Sequence, residues 1–158
     1  MSLSLGDSYE NSLLLLLFNA TAIANIAQNN GTSPLTNLYV ALHTADPGTA
    51  GNQSTSEVTT TAYTNYARVA VARSSAGWTV QGLSVSPVST ITFPTAPSGM
   101  TSTVTATYFS VGTLASGAGV LLFKGAISPS IAITANIAPK LSPIATISGS
   151  ASLLRGSV

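Results

Sequence analysis

Thr103-Val104-Thr105-Ala106-Thr107-Tyr108-Phe109-Ser110-Val111 alternates side chains with a period of two. Val104, Ala106, Tyr108 and Ser110 fall on one side; Thr105, Thr107, Phe109 and Val111 fall on the other. That period belongs to a strand and not to a helix. The same grammar recurs on both sides of it. Leu38–His43 reads as a strand, and Arg68–Arg73 alternates, with Val69 and Val71 on one face and the two arginines read as solvated surface. Trp78–Val80, Leu83–Val88, Thr90–Phe93, Val120–Phe123, Ile131–Thr134, Ala138–Leu141 and Ile144–Ile147 follow, separated by Gly, Pro and Ser turns. Seven to nine short strands with frequent turn signals predict a mainly β fold, a β-sandwich or jelly roll.

The N-terminal segment has a different period. Asp7 with Glu10 three residues later has the form of a capping box, and apolar residues run almost continuously from Leu13 to Ala27. Asn19, Thr21 and Asn25 are the interruptions of that run, and Gln28-Asn29-Asn30-Gly31 closes the element. The reading is one α-helix, apolar on most sides and in need of cover. Its uninterrupted apolar core, Leu13–Phe18, is six residues long, against about 20 for a membrane span. Residues 1–12 carry Asp7 and Glu10 without Lys or Arg, unlike a secretory signal. The expected organisation is a helix or arm over 1–31, a β-sandwich over 32–147 and a C-terminal arm over 148–158.

The 158 residues include four Asp and Glu, five Lys and Arg, one His and no Cys. Charged residues are 6% of the chain, where about 25% is usual. The basic residues, Arg68, Arg73, Lys124, Lys140 and Arg155, are scattered, so no nucleic-acid footprint is expected. The formal net charge of +1 gives little repulsion between copies. Together with the apolar helix, this favours a chain that works assembled.

The few reactive groups each have a plainer reading. His43 and Asp46 are the one histidine–carboxylate pair close in sequence, and they read as a strand end and an Asp-Pro-Gly turn before a metal or catalytic pair. A Gly-x-Ser-x-Gly motif is absent and His43 would be the sole base for a serine hydrolase. Asp7 and Glu10 belong to the helix start, which leaves Asp46 and Glu57 as the pair open to glycoside chemistry. The glycines at 112, 117, 119 and 125 lack the Gly-Lys-Ser/Thr of a phosphate loop. Trp78 is read as core in preference to a carbohydrate-stacking platform beside the polar loop 44–61. The expectation is no enzyme, no cofactor and no metal.

A family resemblance covers roughly residues 38–126. It runs through Leu38-Tyr39-Val40-Ala41-Leu42-His43-Thr44-Ala45-Asp46-Pro47-Gly48, Gly51-Asn52-Gln53, Glu57-Val58 and Tyr66-Ala67-Arg68-Val69-Ala70-Val71. It continues with Gly77-Trp78-Thr79-Val80, Ile91-Thr92-Phe93-Pro94, Tyr108-Phe109-Ser110-Val111-Gly112-Thr113 and Gly117-Ala118-Gly119-Val120-Leu121-Leu122. The succession resembles small structural proteins of tailed bacteriophages, commonly labelled tail-fibre-like, some of them similar to capsid cement proteins. At Tyr108, where the family often has His, no histidine role carries over.

The resemblance implies a β-rich virion component made in the host cytoplasm. Within it, the expected function is a capsid cement or decoration protein on the outer surface of the shell. Its expected partners are the major capsid protein and itself, as a homotrimer, without nucleic acid or membrane. The expected contact residues are Leu13, Leu14, Leu16, Leu17, Phe18, Ile23 and Ile26 of the helix, with Arg68 and Arg73. The alternatives are a tail or tail-fibre module and, more remotely, a carbohydrate-binding module.

Overall fold

The computed structural model describes residues 6–24, 26–28, 34–50, 52–143 and 147–148. Among them the fold is mainly β with one N-terminal helix, α1 (Asp7–Asn19). The strands are β1 (Asn37–His43), β2 (Val69–Ala72), β3 (Trp78–Gln81), β4 (Ser84–Pro87) and β5 (Ile91–Thr92). They continue with β6 (Val104–Gly112), β7 (Leu121–Ile133), β8 (Lys140–Leu141) and β9 (Ile147–Ser148). They form a four-stranded sheet ordered β2-β1-β6-β7, a three-stranded sheet β3-β4-β9 and a ribbon β5-β8.

The chain divides into two compact units, each discontinuous in sequence. One comprises Met1–Asn37, Val71–Ser89 and Ser142–Val158; the other comprises Leu38–Ala70 and Thr90–Leu141. Apart from the backbone of Ser148, the expected arm over 148–158 lies outside the described residues.

In the first unit α1 packs on β3. Leu14 and Phe18, one turn apart, are buried, and Phe18 meets Trp78 edge-on with ring centroids 4.9 Å apart. An i, i+4 pair of this kind is how one helix face reaches a neighbour. The helix differs from the expected one at both ends. Its N-cap is Gly6, with no side-chain cap, and the Gly6 carbonyl accepts from the N–H groups of Tyr9 and Glu10. It stops at Asn19, because Ala20 takes a left-handed conformation at φ 56°. Ile23–Ala27 then closes a tight turn through reciprocal backbone hydrogen bonds. Apolar composition alone did not reveal this break; the β-branched Thr21 and Ile23 fit a turn leading away from a helix.

The second unit is organised by the antiparallel pairs β1–β6 and β6–β7. Leu38, Val40, Leu42, Ala106, Val111 and Ile133 are each at most 1% exposed; burial alternates at the starts of β1 and β6, whereas Val40–His43 and Phe109–Gly112 are buried on both faces. Tyr66 stacks on Phe93 at 6.3 Å, and its hydroxyl accepts the Leu42 N–H at 3.0 Å, which ties it to β1. Phe93 itself follows the β5-β8 ribbon and its N–H bonds the Pro139 carbonyl.

Val120–Phe123 and Ile131–Thr134, expected as separate strands, are the two ends of β7. Ala106 pairs with Ile131 and Tyr108 with Ala126, so residues 127–130 stand opposite Thr107 alone. This bulge contains Pro129, which has no N–H for a ladder. A Ser-Pro-Ser break in the sequence is thus absorbed within one strand. The bulge also interrupts the free edge of the sheet, a way of blocking further strand pairing.

Candidate functional site

The site is built around the segment leading out of β1. His43 ends β1 and pairs by an isolated bridge with Glu57, so the polar loop 44–56 returns to the strand it left. Asp46 accepts the Gly48 N–H at 2.7 Å, as expected of an Asp-Pro-Gly turn, and also pairs with Lys124. The lysine hydrogen bond comes first in holding the Asp46 carboxyl below its ordinary range.

Glu57 and Arg68 form a buried ion pair. Arg68 Nε donates to Glu57 Oε1 and Nη2 to Oε2, both at 2.7 Å. The side chains are 2% and 14% exposed, respectively. Tyr66 OH donates to Glu57 Oε1 at 3.0 Å, and burial, followed by the Glu57 charge, raises its pKa far above the ordinary phenol value. Arg68 Nη1 donates to the Leu114 carbonyl at 2.8 Å and Nη2 to the Gly117 carbonyl at 2.7 Å. The planar five-donor fork of arginine suits this arrangement, which a lysine could not reproduce.

Gln53, fully buried, holds the same turn from the other side. Its Oε1 accepts the N–H groups of Thr113 and Leu114, both at 3.0 Å, and its own N–H donates to the Ala118 carbonyl at 2.7 Å. A Cβ on Gly112 would lie 2.1 Å from the Gln53 Cδ, and one on Gly119 2.0 Å from its Oε1. Gly119 also has φ +50°. These positions need glycine because the glutamine passes against the bare backbone. Gly112 and Gly119 are therefore part of a fixed turn.

Residues 113–120 make that turn, joining β6 to β7, and their large exposed apolar side chains are Leu114 and Val120. A cleft opens beside it. Glu57, Thr59, Thr60, Ala67 and Arg68 line it from one side, and Ala115 to Gly117 from the other.

His43 and Ser110 occupy the sheet beneath. Ser110 Oγ lies 2.7 Å from His43 Nε2, while Nδ1 lies 2.9 Å from the Thr55 carbonyl. A carbonyl only accepts, so Nδ1 carries the proton and Nε2 accepts from the Ser110 hydroxyl. The pair has the geometry of a base and a nucleophile, but both residues are 0% exposed and the third group is a backbone carbonyl. Its visible effect is to tie β1 to β6 and to the 52–57 loop. Burial lowers the His43 pKa and keeps the ring neutral.

The expected contact residues differ in exposure. Leu14, Phe18 and Ile23 are buried, Leu13, Leu16 and Leu17 are half-buried, and Ile26 is 65% exposed. The arginines correct the expectation of a solvated outer face. Arg68 is buried in the ion pair, and Arg73 donates from Nη2 to the Leu16 carbonyl and from Nε to the Leu17 carbonyl, both at 2.7 Å. A cation on the last carbonyls of α1 complements the helix dipole. Trp78 is 1% exposed, so it presents no face to a sugar. Sequence reasoning missed Gln53, Tyr66 and Ser110, whose roles depend on strand register; the order Glu57, Tyr66, Arg68 was visible only as a motif.

Among the described residues no group of His, Asp and Glu is placed to hold a metal ion, and no helix is long and apolar enough to cross a membrane. The family model of Podophage GP4 fiber I protein gp80 matches residues 5–145. No curated protein matches the chain.

Proposed function

The chain belongs to the Podophage GP4 fiber I protein gp80 family of phage virion structural proteins, and on that premise we propose that it is a fibre component of the particle. The family match over residues 5–145 carries this reading. It favours the tail-fibre alternative over the capsid cement expected first, and with it the major capsid protein is not carried forward as a partner. Self-association is retained as part of the proposal.

The physical chemistry fits a component that acts by surface contact and not by catalysis. The single histidine is buried, its pKa lowered by burial, the buried Glu57–Arg68 pair is used to hold a turn, and the exposed surface of that turn is uncharged. Such a surface binds through shape and apolar burial, at about 25 cal/mol per Å² before the costs of association. Gold-labelled antibody on purified particles tests the assignment: label on fibres supports it, and label confined to the capsid shell refutes it.

A further inference from the structure

The chain's one histidine lies between two supports of unequal strength. His43 is 0% exposed. On one side Nε2 accepts from Ser110 of β6, a strand hydrogen-bonded to both β1 and β7, which cannot move without breaking two ladders. On the other side Nδ1 donates to the carbonyl of Thr55, a residue that is itself exposed. Thr55 belongs to the returning limb of the polar loop, Asn52-Gln53-Ser54-Thr55-Ser56, which contains no apolar side chain. Gln53 is the buried residue of this limb. Lifting it therefore uncovers almost no apolar surface of its own, which places it at the weakly held end of the fold.

The fastenings of the limb are all polar. The Ser56 carbonyl accepts from Thr44 N–H at 2.8 Å and Thr44 Oγ1 at 3.2 Å, and Gln53 meets the 113–120 turn. Beyond it, Val58 N–H returns to the Leu42 carbonyl, where the chain rejoins the sheet. Protonation would turn Nε2 into a donor, so the Ser110 hydroxyl would lose its acceptor. Burial is the largest influence on the ring and works against its charge; the Thr55 carbonyl, Glu57 and Asp46 favour a proton and Arg68 opposes it. Both carboxylates are already engaged, Glu57 by Arg68 and Tyr66 and Asp46 by Lys124 of β7, and Tyr108 stands opposite His43 on β6. The net result lies below the ordinary 6.5.

We propose that residues 52–56 are an acid-operated latch: a proton taken up by His43 lifts this limb while the β1–β6–β7 sheet stays folded, and the Gln53 clamp on the 113–120 turn leaves with it. The device does not depend on which part of the particle holds the chain. The open form takes the proton near the ordinary histidine value, so opening is independent of pH well above 6.5. It grows as the pH falls below 6.5, by at most about tenfold per pH unit. Asp46 titrates below 3.8, outside this window.

Amide hydrogen exchange of the full chain between pH 7.5 and 5, corrected for intrinsic exchange rates, tests the latch. The amides of Thr44, Gln53 and Leu114, whose acceptors are the Ser56 and Ala118 carbonyls and Gln53 Oε1, report its opening. They are expected to open roughly a hundredfold or more above the β6–β7 ladder at every pH, and about 10- to 30-fold more at pH 5 than at pH 7.5. His43→Gln is expected to abolish the pH response. Protection equal to that of the ladder would show that acid enters only by global unfolding, and opening that ignores pH would show that the limb does not guard the ring; either overturns the proposal. A second reading needs no variant, because histidine labelled with carbon-13 gives a single ring signal in this chain. An imidazolium signal emerging near pH 5 with the β6–β7 amide signals still native is expected. A ring that stays neutral until the fold is lost refutes the latch.

Discussion

Arg68 meets Glu57 through two hydrogen bonds of 2.7 Å and, with its remaining donors, carries the carbonyls of Leu114 and Gly117. One buried cation thus joins the loop after β1 to the turn before β7. Removing it would strand a carboxylate and two carbonyls. Arg68→Met is expected to lose about 3–5 kcal/mol by urea denaturation. Arg68→Lys restores the charge without the fork and is expected to recover only part of it. An Arg68→Met variant as stable as wild type would show that the pair holds nothing.

Gln53 provides the second tie. Gln53→Ala frees the N–H groups of Thr113 and Leu114 from their shared acceptor. Their amide hydrogens are expected to exchange at least tenfold faster, while those of β1 and β6 away from the turn keep their protection. Equal exchange in both proteins would place the stiffness of the turn elsewhere.

His43 sets the acid limb of stability. Its folded pKa is lowered by burial, so below its ordinary value of 6.5 the unfolded chain takes up a proton that the folded chain resists. Stability is therefore complete above about pH 6.5 and falls as the pH drops below it, by at most about 1.4 kcal/mol per pH unit for one proton. Asp46, with a lowered carboxyl pKa, adds a loss only in the more acidic range below 3.8. Replacing His43 with Gln is expected to flatten the slope between pH 6.5 and 5, measured as denaturation midpoint against pH. An unchanged slope would assign it to another group.

Trp78 is the chain's single tryptophan and sits against Phe18. Phe18→Ala is expected to cost about 3–5 kcal/mol and to shift Trp78 emission to the red as water enters. Wild-type emission already typical of exposed indole would contradict the burial of Trp78.

The sheet was legible in its strands more than in its faces: Thr103–Val111 became β6 nearly residue for residue, but Phe109–Gly112 are buried on both faces, which alternation does not announce. The helix was legible in kind but not in extent, since its end depends on the left-handed Ala20 and on Arg73, a residue more than fifty positions away. Arg68 was misread for a similar reason. Placement on the face opposite Val69 and Val71 predicts solvent only when nothing covers that face, and here the 54–57 loop and the 113–120 turn do. The Ser110–His43 bond and the Gln53 clamp join residues 67 and 60 or 61 positions apart, and no local pattern announces such pairs.

A structural piece of the phage fibre is expected on the fibres of the assembled particle. Electron microscopy of purified particles labelled with gold antibody against the full chain tests this placement most directly. Gold on the fibres, at several copies per particle, is the predicted result; gold confined to the capsid shell, or particles that bind none although the protein is abundant in the lysate, would contradict it.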